Sequence, residues 1–154
     1  MIYCKKIDGV FYCREEQVEG YKPVNVVGDI TYQALVDTGS EWVHDEALLA
    51  QHQAEQAKQV AVQSRLSAQD FGATFLAQVI ELNKAKYIAG VFTAQTLDQM
   101  DEDAVLQKLE RSAWRGNIPT LKALILANAS HLLTWYTEAE QTEMVSQINA
   151  YLGA

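Results

Sequence analysis

The residues able to do chemistry are few, and they are spread along the chain. Asp37, in Ala34-Leu35-Val36-Asp37-Thr38-Gly39-Ser40, follows an apolar run and precedes Thr-Gly. Such a loop can hold one carboxylate of a pair that shares a proton and splits the acid and base roles about a water. Cys4 and Cys13 are the only cysteines. Without a neighbouring His or further Cys they cannot complete a tetrahedral zinc shell. His44, His52 and His131 stand in no metal-binding spacing, and Asp98, Asp101, Glu102 and Asp103 lack the alternating ligands and central glycine of a calcium loop. Acidic residues at a helix start explain that cluster more simply. No glycine-rich phosphate loop occurs, and no serine sits in a nucleophile elbow. These patterns point away from an enzyme and toward a chain with no cofactor and no metal.

The Asp37-Thr38-Gly39 loop resembles the active-site loop of aspartic proteases, and that reading is kept as a remote alternative. A symmetric dimer could supply the second carboxylate. The scaffold is harder to supply, because "EWVHDEALLAQHQAEQAKQVAVQSRLSAQ" follows where strands and a glycine-rich flap belong. Its Ala, Gln and Glu content favours helix. Two other readings account for the motif: a short helix over Ile30 to Asp37, capped by Asp29 and ended at Gly39, or a strand and turn.

The elements around these residues define an α+β chain that is mostly α. Its expected parts are a small N-terminal β-hairpin module (1–43), a long connecting helix (44–66) and a C-terminal bundle of about five short helices (67–154). "IYCKKIDGVFYCRE" sets two β-prone runs about Asp8-Gly9, a dipeptide suited to a type I′ turn. A two-residue loop pairs Ile7 with Val10, Lys6 with Phe11, Lys5 with Tyr12 and Cys4 with Cys13. The thiols then face each other at a separation that allows a disulfide, although reduced thiols are the favoured reading. The face carrying Tyr3, Ile7, Val10 and Tyr12 is expected to pack on the extended piece Lys22 to Val27.

From Asp45 the pattern is helical. Asp45 to Leu66 runs through five glutamines with alanines between them, and its thin apolar stripe suits a connector or a homo-oligomer contact. Ser67-Ala-Gln-Asp70 predicts a fresh helix start, followed by Phe71, Phe75, Leu76, Val79, Ile80 and Leu82 on one apolar face. Thr93 and Asp101 are expected caps. Gly116 and Pro119 mark a break, and Thr137-Glu-Ala-Glu140 forms a complete capping box for the last helix. Leu121, Leu124, Ile125 and Leu126, then Met144, Val145, Ile148, Tyr151 and Leu152, are expected to face inward.

Charge narrows the partners. A net charge of -8 with scattered basic residues argues against nucleic acid, and no apolar run reaches the ~20 residues of a membrane span. The opening also lacks the apolar region of a signal peptide, so the expected setting is inside a cell.

Tyr3, Gly9, Phe11 and Tyr12, followed by Ile30, Thr31, Gln33, Ala34 and Leu35, give the first 40 or so residues a pattern that resembles the opening of tail fibre assembly proteins of tailed bacteriophages. The resemblance does not cover the helical remainder. It implies a non-enzymatic phage structural or assembly protein, whether virion component or fibre chaperone, acting by contact with other tail or fibre proteins in the virion or the host cytoplasm. On that reading Tyr3, Phe11 and Tyr12 are the expected partner-binding residues, beside a free hairpin edge. The alternative is a small acidic phage inhibitor whose carboxylates occupy a site on a host defence protein.

Overall fold

The structure, a computed structural model, describes residues 1–153. The chain is α+β and mostly α, and it divides into two units, Met1–Ala61 and the remainder from Val62.

The first unit is built on the expected hairpin. Strand β1 (Tyr3–Ile7) pairs antiparallel with β2 (Val10–Arg14), with Cys4 opposite Cys13 and Ile7 opposite Val10. Asp8 (φ 51°) and Gly9 (φ 83°) both adopt the left-handed conformation that a type I′ turn requires. Strand β3 (Lys22–Pro23) joins the other side of β1, giving the order β2-β1-β3.

The stretch around Asp37 is a second hairpin and not a helix. Only a single 3-10 turn forms, Tyr32–Ala34, before β4 (Leu35–Asp37) pairs with β5 (Trp42–His44). Leu35 to Asp37 pair with Trp42 to His44 instead, which buries Leu35 and Trp42 in one core, and Gly39 (φ 98°) serves the turn of that hairpin rather than a helix end.

Helix α1 (Glu46–Ile88) runs for 43 residues without interruption. Asp45 caps it, accepting a bond from the Leu48 N–H at 2.9 Å. The start expected at Ser67 is absent. A cap must leave the helical conformation, and Ser67 lies between strong helix formers with no proline to stop the preceding turns. Almost every side chain from Glu46 to Ser67 is exposed, with Leu49 and His52 half-buried. No helix among the described residues is long and apolar enough to cross a membrane.

The second unit surrounds the C-terminal half of α1 with α2 (Ala94–Glu102), α3 (Ala104–Trp114), α4 (Ile118–Ala127), the single turn α5 (Ala129–Leu132) and α6 (Glu138–Leu152). Thr93 and Thr137 cap α2 and α6, as the sequence predicts; the capping box expected at Thr137 is present, and Thr93 forms one with Thr96 as well. Asp103, and not Asp101, caps α3, because α2 continues through Glu102. Phe75, Phe92, Met100, Ile118, Leu121, Ile125, Leu132, Trp135, Tyr136, Met144 and Ile148 form the core. Ile80 and Leu126, expected inside, are each more than half exposed, and so is Trp114.

Two glycines let the α3–α4 corner approach α1. A Cβ on Gly72 would stand 1.9 Å from the Ala113 carbonyl oxygen, and one on Gly116 would stand 2.8 Å from the Gln69 nitrogen. The Ser67 to Asp70 stretch is therefore a docking place for this corner.

A candidate protein-contact site on the N-terminal hairpin

The hairpin's two faces take opposite roles from those its alternation suggests. Cys4 is fully buried, and with Leu35 and Trp42 it forms the small core of the first unit, packed by Ile2, Phe11, Val24, Val26 and Ile30. Phe11 meets the Trp42 ring edge-on at 4.9 Å and lies 5.6 Å from Tyr32. The Trp42 indole N–H donates to the Cys4 carbonyl at 2.9 Å. These contacts fix the inward face, and Phe11 is largely committed to it.

Cys4 and Cys13 form a disulfide across the two strands, with their Cα atoms 4.2 Å apart. This corrects the favoured reading of two reduced thiols. The register places them in a non-hydrogen-bonded pair, where strands approach most closely.

The opposite face carries Ile7, Val10 and Tyr12, at 43%, 55% and 50% exposure. The Lys22 to Val27 segment does not cover it. Lys22 and Pro23 pair with β1 as a strand instead, in the plane of the sheet. Tyr3, on the same face, is half-buried opposite Pro23. Of the three aromatics expected to meet a partner, Tyr12 is therefore the one displayed. Ile7 and Val10 join it, and the alternation that placed them beside Tyr12 was the available signal.

Among the described residues strand β2 is paired on one side only. Val10 and Tyr12 lie in the hydrogen-bonded pairs of this register, which turns the N–H and C=O groups of Phe11 and Cys13 toward the unpaired edge. An extended segment could add there by backbone hydrogen bonds and meet Val10 and Tyr12 on one face. The disulfide ties β2 to β1, and the Trp42 bond to the Cys4 carbonyl anchors β1.

Asp37 has a different role. Both its carboxylate oxygens accept from the Lys22 ammonium, at 2.6 and 2.7 Å, and Oδ1 also accepts from the Gly39 N–H at 2.8 Å. Lys22, followed by the Gly39 N–H, holds the carboxyl below its ordinary range. An acid pair needs a carboxylate raised by another carboxylate beside it. Asp37 faces an ammonium at a hairpin tip.

The histidines are dispersed. His44 Nε2 accepts from the Thr31 N–H at 3.0 Å, and His131 Nε2 pairs with Asp103 Oδ2 at 2.6 Å. Among the described residues no three His, Cys, Asp or Glu side chains gather as a metal site. Comparison with protein-family models, curated proteins and solved structures gave no match.

Proposed function

We propose that the chain is a non-enzymatic tail-associated protein of a tailed bacteriophage that works by protein contact, either as a virion component or as a fibre-assembly chaperone. The observation that carries this reading is the one-sided β2 strand, which presents Val10 and Tyr12 beside a free backbone edge. Exposed apolar side chains on an unpaired strand are a hazard unless a partner covers them. The resemblance of the first 40 or so residues to tail fibre assembly proteins supplies the class of partner: another tail or fibre protein, met in the virion or in the host cytoplasm during assembly.

The test is quantitative mass spectrometry of purified particles and of the producing lysate, with this chain measured against the major capsid protein. A fixed ratio in particles identifies a virion component. Absence from particles, with a stable complex with a fibre protein in the lysate, identifies a chaperone. Absence from both overturns the proposal.

A further inference from the structure

The second unit has a surface of its own that the hairpin reading does not use. A cleft of about 350 Å³ opens along α1 and α3, with Leu76, Val79, Leu106 and Leu109 in its lining and Ile80 and Trp114 at its lips. The four leucine and valine side chains are half-buried against the core, whereas Ile80 is 52% and Trp114 56% exposed. Helical spacing places Ile80 on an apolar face. Both lip residues are left in solvent because α1 and α3 turn their apolar stripes toward a gap that no described segment fills.

The charges about this gap have one sign. Among the described residues, Asp101 and Glu110 are the only ionisable acids or bases of the lining other than the Tyr136 phenol, and no Lys or Arg lines it. The Trp114 indole N–H reaches Glu110 Oε1 at 3.4 Å, placing that carboxylate beside the apolar lip. Gln107 and Asn83 add neutral polar groups. An apolar trough between two helices, with carboxylates at its margin, suits an amphipathic helix whose apolar ridge is flanked by cations.

We infer that this cleft binds an amphipathic helical segment of a partner protein, with large apolar side chains entering between Ile80 and Trp114 and Lys or Arg residues pairing with Asp101 and Glu110. The inference rests on the second unit alone and stands whether or not the hairpin meets a tail protein.

The probe is a displayed library of random 16-residue peptides panned against the intact protein, with enriched peptides titrated by fluorescence anisotropy. Ile80→Glu puts a charge on an exposed lip, and far-UV circular dichroism checks that the fold is retained. The double variant Asp101→Lys, Glu110→Lys changes exposed side chains only and provides an independent arm. Enriched peptides should carry two or three large apolar residues at helical spacing together with Lys or Arg, and each variant should weaken them about tenfold or more. No enrichment, enrichment without cations, or equal binding to both variants would overturn the inference. So would a dimer dissolved by Ile80→Glu, which would make the occupant a second copy of the chain.

Discussion

Gly72 illustrates how much can depend on one absent side chain. Its missing Cβ is replaced by the Ala113 carbonyl, and a methyl group there would meet backbone at 1.9 Å. Gly72→Ala should force α1 and α3 apart and cost about 1–3 kcal/mol, read as a lower urea midpoint. Lys86 is a second such residue: it donates to the Trp135 carbonyl at 2.8 Å and to Glu140, and it lies over the Phe92 and Tyr136 rings at 5.1 and 5.3 Å. Lys86→Met should cost on the order of 2 kcal/mol, because it leaves a partly buried carboxylate without its cation. Asp103 makes stability depend on pH. Burial raises its carboxyl, but the Leu106 N–H, His131 and the Val105 N–H outweigh this, and the net shift is downward. Its contribution is therefore complete above the unfolded value near 4 and is lost as pH falls through the lower folded value. Urea midpoints measured at pH 7 and pH 3 should show a smaller acid loss in Asp103→Asn than in the parent. Capping residues of this kind were partly legible. Thr93 and Thr137 stand alone as caps, whereas Asp101, Glu102 and Asp103 are consecutive acids, and which one caps depends on where α2 stops.

Elements were legible where local chemistry decides and obscure where packing does. Asp8-Gly9 needs nothing distant to make its turn, so the register about it followed directly. Which hairpin face turns inward depends on Trp42, 38 residues from the Cys4 carbonyl it bonds. Alternation alone cannot carry that information, since both faces hold aromatic or apolar residues. The same contrast holds along α1. Residues 46–67 form helix without a covering partner in the described chain, while Phe71 to Leu82 pack against the core. Amide hydrogen exchange should therefore be faster across 50–66 than across 71–86, because the first stretch has little tertiary packing to resist local opening. Equal protection would show that the exposed stretch is covered in solution, as a homo-oligomer contact requires. The disulfide closes a short loop of sequence separation nine, and loop entropy gives it about 2–3 kcal/mol. Cys4→Ser with Cys13→Ser should loosen the Trp42 environment, measured as loss of its near-ultraviolet dichroism.

At the scale of the whole molecule, two cores formed by different means share one chain. The first is a cluster about Cys4, Leu35 and Trp42 held by a covalent link, and the second is a broad apolar core closed by helix caps and the Lys86 contacts. Reduction should act on the first and leave the thermal transition of the second in place. The α+β class and the small β part before a helical part were plain in the sequence, because a change from period-two to helical patterning needs no tertiary knowledge. The displayed surface was legible in part: Tyr12 is exposed beside the free edge of β2, Phe11 packs into the core, and the exposure of Ile7 and Val10 followed only once the faces were assigned. The central claim is that this displayed strand is a contact surface for a tail or fibre protein. It is tested most directly by tagging the chain in its native source and comparing capture by the parent with capture by a Val10→Asp, Tyr12→Asp variant of unchanged circular dichroism. The parent should retain a tail or fibre protein at fixed ratio and the variant should lose it; equal capture by both, or capture of neither kind of protein by the parent, would contradict the account.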